Sequence, residues 1–224
     1  MKRLLGCWVS ALLLPLFCVA QPEACRTVRD VPYREAGDSL RDDPMCRLDL
    51  VCPAGAEGFP TVVWFHGGGL TGGRREIPEE LLAGGFAVAG VEYRLSPQTP
   101  VAGCLEDAAA AVAWVVRHIA SYGGDPELLF LAGHSAGGYL VSMLGLDKRW
   151  LAAQGLDPDR AVAAVIPYSG PAVTPFTPRA ELGLPAGPRP AGDNAPPSHL
   201  RAHAPPPRLP PGRSAPRRMR RHAG

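Results

Sequence analysis

The chain has 224 residues, 46% of them hydrophobic and 20% charged, with a formal net charge of +2. Those proportions exclude a disordered polyelectrolyte and a helical membrane bundle. They fit one soluble globular domain, long enough to bury a sizeable core.

In chain order, residues 1–20 read as a leader and not as part of the fold. Lys2 and Arg3 form a basic start, Leu4 to Val19 an apolar stretch, and Cys18-Val19-Ala20 approximates a small-x-small cleavage site. The apolar stretch is short for a membrane span and polar residues follow closely. The expected location is therefore secreted or periplasmic. Of the six cysteines, Cys7 and Cys18 leave with the leader. Cys25, Cys46, Cys52 and Cys104 remain, an even number that permits either disulfides or buried thiols. Cys46 and Cys52 flank a strand and would stand roughly 20 Å apart, too far for a bridge between those two.

From Gln21 to Asp43 the sequence is polar and broken by Pro22, Pro32 and Gly37, so little regular structure is expected there. Cys46 to Cys52 alternates apolar and polar residues, the pattern of a half-buried strand. Thr61 to Phe65 is a β-branched and aromatic run that opens into His66-Gly67-Gly68-Gly69. A helix is expected over Ile77 to Ala83, a strand over Ala87 to Tyr93, and an alanine-rich helix over Leu105 to Tyr122. Leu128 to Ala132 reads as a strand, Ala136 to Leu146 as a helix, and Ala161 to Tyr168 as a further strand. Continuous apolar strands separated by helices imply βαβ units, a mainly parallel sheet and helices on both faces. The domain is expected over 21–206, with its core at 45–170.

Between the Leu128 strand and the Ala136 helix lies Gly133-His134-Ser135-Ala136-Gly137. Strand, sharp turn and helix with a serine at the apex make a nucleophile elbow. The turn lifts the Ser135 hydroxyl clear of the sheet and sets the Ala136 amide at a helix start, where a developing oxyanion would sit. Both this elbow and the His66-Gly67-Gly68-Gly69 loop follow strand ends, so both should face one crevice. The glycine loop lacks the Lys-Ser or Lys-Thr pair that a phosphate-cradling loop would need. Its bare amides suit a carbonyl oxygen instead, with the His66 ring bracing the loop rather than acting as a base.

Four motifs then occur in order: Phe65-His66-Gly67-Gly68-Gly69, Val91-Glu92-Tyr93-Arg94-Leu95-Ser96-Pro97, Glu106 to Trp114, and Gly133-His134-Ser135-Ala136-Gly137-Gly138. Together they resemble the lipase/esterase branch of the α/β-hydrolase superfamily, above all its secreted bacterial carboxylesterases akin to feruloyl and acetyl-xylan esterases. The resemblance implies an α/β-hydrolase fold and a serine carboxylesterase. It makes Ser135 the nucleophile, the Gly68, Gly69 and Ala136 amides the oxyanion donors, and His66 and Gly67 the supports of the oxyanion loop. Glu92, Tyr93, Arg94 and Asp107 become structural supports. The implied partner is a small-molecule ester, with no cofactor, no metal, no nucleic acid and no membrane span once the leader is removed.

The pattern departs from that family after Gly170. In this fold the triad acid and histidine follow two later strands, and no apolar run resembling either appears. Beyond about Pro206 the chain is rich in proline and arginine (Pro210, Pro211, Arg213, Arg217), and 207–224 reads as a disordered tail, not the native end of the domain. The fold is thus expected to be C-terminally incomplete, through truncation or a change of reading frame. Asp193 could stand in for the acid, and His199, His203 or His222 for the base, though each is more simply a loop residue. The short stretch before the first strand leaves no room for a helical cap, which favours small soluble or carbohydrate-linked esters over triglycerides. Two alternatives remain: an inactive hydrolase-fold remnant or binding protein, and a serine peptidase of the prolyl-oligopeptidase type, which shares the elbow but generally lacks the His-Gly-Gly-Gly loop.

Overall fold

The β-branched and aromatic runs assemble into one sheet, seen in a computed structural model that describes residues 25–171 and 176–184. Its strands are β1 (Cys25–Pro32), β2 (Arg47–Pro53), β3 (Phe59–Phe65), β4 (Ala87–Val91), β5 (Gly124–His134) and β6 (Ala164–Tyr168). They lie in the order β1-β2-β4-β3-β5-β6. β4, β3, β5 and β6 are parallel, and β2 and β1 add antiparallel strands at one edge. The mainly parallel sheet expected from the sequence is therefore present.

The register explains where a site can form. Phe65, the last residue of β3, stands opposite Val91 on one side and Gly133 on the other. From β3 the chain leaves toward β4, whereas from β5 it leaves the opposite way, toward β6. Neighbouring parallel strands whose connections diverge leave a crevice at their carboxyl ends. Both glycine motifs open at that crevice.

Crossovers bury the sheet unevenly. α1 (Val101–His118) links β4 to β5, and α2 (Ala136–Leu146) with α3 (Arg149–Ala153) links β5 to β6. α1 packs on both α2 and α3. The inward residues Val63, Phe65, Leu129 and Leu131 join Ala108, Val112, Leu140 and Leu144 of the helices in one core. On the other face a 3₁₀ turn, Glu79–Gly84, supplies part of the cover. There Val62, Trp64, Phe130, Ala132, Ile166 and Tyr168 line a groove of about 960 Å³.

Several boundaries differ from the sequence expectation. The segment expected to lack regular structure contains β1, because Val28 and Val31 pack against the core and the backbone pairs with β2 across a bulge. Ion pairs of Asp49 with Arg29 and Arg75 hold that edge. The expected helix at Ile77 to Ala83 is only a 3₁₀ turn beginning after Pro78. α1 starts at Val101, earlier than Leu105, and its last turn tightens into a 3₁₀ segment, Ile119–Tyr122. α3 and a final helix, α4 (Phe176–Glu181), have no counterpart in the expectation. Cys46 and Cys104 are buried free thiols. The leader at 1–20, the tail at 207–224, Asp193, His199, His203 and His222 lie outside the described residues.

Candidate active site

The loop after β3 is built on a buried histidine. His66 is 2% exposed, and its ring stacks on Tyr93 at 4.4 Å between centroids. Its Nε2 lies 2.9 Å from Glu92 Oε1, and its Nδ1 lies 2.7 Å from the Gly67 carbonyl. The second Glu92 oxygen accepts the Arg75 N–H at 3.0 Å. The Tyr93 hydroxyl donates to the His66 carbonyl at 2.9 Å. Both His66 ring nitrogens are thus engaged by neighbouring oxygens.

Those braces set the direction of the loop amides. In a planar trans peptide the N–H points opposite to the preceding C=O. The Gly67 carbonyl is turned to His66, so the Gly68 N–H points away from that ring. The Gly68 carbonyl accepts from the Thr71 and Gly72 N–H groups, both at 3.1 Å, so the Gly69 N–H points out of the loop. Neither amide makes a hydrogen bond among the described residues. The geometry needs glycine at Gly68, where φ is +116° and a Cβ would collide with the Gly72 carbonyl.

The turn between β5 and α2 is strained at its apex. Ser135 has φ 53° and ψ −110°, a conformation that costs a non-glycine residue about 1–3 kcal/mol. Its N–H donates to the Tyr168 carbonyl at 2.9 Å, and its carbonyl accepts the Tyr139 N–H at 3.0 Å. The Ser135 side chain does not cap α2, and the first turn of α2 has no acid, so the positive helix end is left open. Gly137 is essential because a Cβ there would strike the Phe65 carbonyl.

The two motifs touch. A Cβ built on Gly67 would stand 3.4 Å from Ser135 Cβ and 3.2 Å from the His134 carbonyl. The structure therefore sets Gly67 of the His66-Gly67-Gly68-Gly69 loop against the Ser135-Ala136 turn.

Behind the loop a second buried cluster fixes the scaffold. Asp107 is fully buried and accepts from the Arg94 N–H, Nε and Nη2 at 3.0, 2.8 and 2.9 Å, and also from Arg34. Its hydrogen bond to Arg94 raises the guanidinium pKa and holds the cation charged. Burial, then the Asp107 and Glu181 charges, pushes the Cys104 thiol up to about 12. Burial does the same in direction for Tyr93. Glu92, Tyr93, Arg94 and Asp107 are all tied into the scaffold by these bonds.

No described histidine makes a hydrogen bond to the Ser135 hydroxyl. His66 is committed to Glu92 and Gly67, His118 bonds to the Trp114 carbonyl at 2.7 Å, and the His134 ring lies beside Tyr168. Among the described residues no cluster of His, Cys, Asp or Glu could hold a metal, and no helix is long and apolar enough to cross a membrane. Thr177 and Glu181 of α4 are absent from the sequence reading: Thr177 reaches Gly69 in the loop, and Glu181 reaches Ser96 and Val101 beside it. Nothing local marks them, since their partners lie 80 to 108 residues away.

Comparison with known proteins agrees with this geometry. The BD-FAE family description matches residues 48–176. The protein named "Probable carboxylic ester hydrolase LipM" from Mycobacterium tuberculosis is 31% identical over 202 residues, 79% of this chain and 45% of that protein. Carboxylesterase NlhH of the same species is 33% identical over 97 residues, 41% of this chain and 30% of that protein. The chain thus spans less than half the length of these curated relatives. The structure of Esterase B from Lactobacillus rhamnosis, inhibited by a tributyrin phosphonate, superposes with a TM-score of 0.51 at 28% identity, covering 64% of this chain and 47% of that one. A truncated carbohydrate esterase from gut microbiota, at 23% identity and a TM-score of 0.55, covers 65% of this chain and 57% of that one and shares the fold. The match over more than half of the chain, on a sheet that brings the glycine loop against the serine turn, places the protein in the BD-FAE family of α/β-hydrolase esterases.

Proposed function

We propose that Ser135 is the nucleophile of an acyl-transfer site acting on small soluble or carbohydrate-linked esters. The Gly68, Gly69 and Ala136 amides receive the oxyanion, and His66 and Gly67 hold the loop that presents two of them. The observation that supports this most is the contact of the glycine loop with the strained Ser135 turn. A carbonyl carbon near the hydroxyl would place its oxygen among donors that need no rearrangement as charge develops, and losing one such donor typically costs ~10²–10³ in turnover. The esterase relatives and the His-Gly-Gly-Gly loop favour esters over peptides. The apolar stretch Leu4 to Val19 supports a secreted or periplasmic location.

Proton transfer is the weaker half of the site. A serine hydroxyl needs a base to become a good nucleophile, and no described histidine provides one. Without such a base the oxyanion hole and binding alone would supply ~10³–10⁴-fold over water, and slow turnover is the expected result. The purified chain and Ser135→Ala should be compared on p-nitrophenyl acetate. Slow hydrolysis lost in Ser135→Ala supports the reading. Rapid, Ser135-dependent turnover would show that a base is present, to be sought at His199, His203 and His222 by single alanine substitutions. Equal rates in the two proteins would refute it.

A further inference from the structure

We propose that α4 is a clamp that sets the oxyanion loop, with Thr177 and Glu181 as its positioning residues. The proposal rests on the loop's role given above. The loop contains three successive residues with left-handed backbone, Gly68, Gly69 and Leu70, at φ 116°, 66° and 64°. Leu70 is not a glycine, so this stretch persists only if its surroundings over-determine it. Leu70 is fully buried, and its carbonyl accepts the Ser96 N–H at 2.8 Å. The remaining hold comes from α4.

Two peptide planes flank Gly69, and each is fixed by its carbonyl. The plane before it is held from inside the loop, where the Gly68 carbonyl accepts from Thr71 and Gly72. The plane after it is held from outside, where the Thr177 hydroxyl donates to the Gly69 carbonyl at 2.6 Å. A free Gly69 carbonyl would let this glycine rotate, and the neighbouring amides would swing with it.

Glu181 anchors the clamp. α1 is 18 residues long, follows Pro100, and has no capping side chain and no acid in its first turn. Its open positive end attracts a carboxylate. Glu181 supplies one, accepting the Val101 N–H at 2.9 and 3.2 Å and the Ser96 hydroxyl at 3.0 Å. Ser96 in turn holds the Leu70 carbonyl through its N–H. One turn of helix thus ties the Gly69 carbonyl directly and the Leu70 carbonyl through Ser96. The oxyanion donors are set only while α4 is docked.

The test is amide hydrogen exchange on the whole 224-residue chain, read at the peptide spanning residues 66–73, with thermal melting alongside. Thr177→Val should raise exchange of the loop about 5- to 10-fold, the scale of one lost hydrogen bond, while exchange in β3 and α1 stays unchanged. Thr177→Ser keeps the hydroxyl and should restore the wild-type rate. Glu181→Gln keeps acceptors but removes the charge, and should raise loop exchange less than Thr177→Val. If Thr177→Val does not fold, Ser96→Ala, which removes only the hydroxyl that Glu181 holds, carries the same prediction. Unchanged loop exchange, or a rise shared equally by β3 and α1, overturns the clamp. Ser135→Ala must leave loop exchange as in wild type. The exchange readout needs no turnover, so a site in which Ser135 proves inert and a clamp that fails are distinguished.

Discussion

The loop after β3 and the turn after β5 both force backbone into the left-handed region, but they are held there differently. The loop is braced by side chains from distant segments: Glu92 and Tyr93 on His66, and Thr177 on Gly69. Among the described residues the elbow is held by backbone, through the Ser135 N–H on Tyr168 and close approach of Gly133 and Gly137 to β3. A structure held by side chains weakens when atoms are removed. One held by close backbone approach fails when atoms are added.

The largest effect is therefore expected from adding one methyl group to the elbow. Gly137→Ala drives a Cβ into the Phe65 carbonyl, and overpacking of this kind costs about 3 kcal/mol. In a domain of this size Tm should drop by roughly 6–12 °C, as calorimetry would show. An unchanged Tm would mean that the strand and helix are not so tightly apposed.

Removing atoms from the loop comes next. Glu92→Ala leaves the His66 Nε2 and the Arg75 N–H without their acceptor, a loss of about 1–3 kcal/mol. Urea unfolding would measure it, and Glu92→Gln, which retains oxygen and hydrogen-bonding capacity, should lose less. If both variants unfold like wild type, the buried pair is not a brace.

A smaller effect of opposite sign should appear at Ser135. Ser135 bears backbone strain that glycine relieves, offset by glycine's greater entropy loss, so Ser135→Gly should be more stable than Ser135→Ala by about 0.5–1 kcal/mol. The reverse order in the same unfolding assay would deny the strain.

The smallest is a pH effect in the scaffold behind the loop. The Cys104 thiol is raised from 9.0 to about 12, first by burial. The folded state then keeps its proton longer than the unfolded chain. That contribution to stability is complete below pH 9 and is lost as pH rises toward 12. Buried Tyr33, Tyr93 and Tyr139 are raised too and act in the same direction. Cys104→Ala should therefore flatten, without abolishing, the fall of Tm above pH 9. An equally steep fall would remove Cys104 from the explanation.

The same contrast explains what could be read from the residues. The elbow and the His66 loop were legible because each is local: strand, glycines and helix follow one another within a dozen residues. The parallel sheet was legible because its apolar runs are continuous. β1 was not, since Arg26, Arg29 and Asp30 mask an edge strand that packs on the core through Val28 and Val31. α4 was missed because its six residues earn their helix through Glu181 and Thr177, whose partners belong to other parts of the chain. The brace on Glu92 was anticipated only as a support; its pairing with both His66 and Arg75 needed the fold.

The central claim is that Ser135 is a nucleophile set against a glycine-loop oxyanion hole. It is tested most directly by covalent capture. The purified chain is incubated with diethyl p-nitrophenyl phosphate, whose phosphorus mimics the tetrahedral centre, and the adduct is located by peptide mass. The account predicts one diethylphosphoryl group, slow to form and confined to the peptide containing Ser135, and none in Ser135→Ala. An adduct on another residue that forms equally in Ser135→Ala, or no adduct at Ser135 after prolonged incubation, would contradict it.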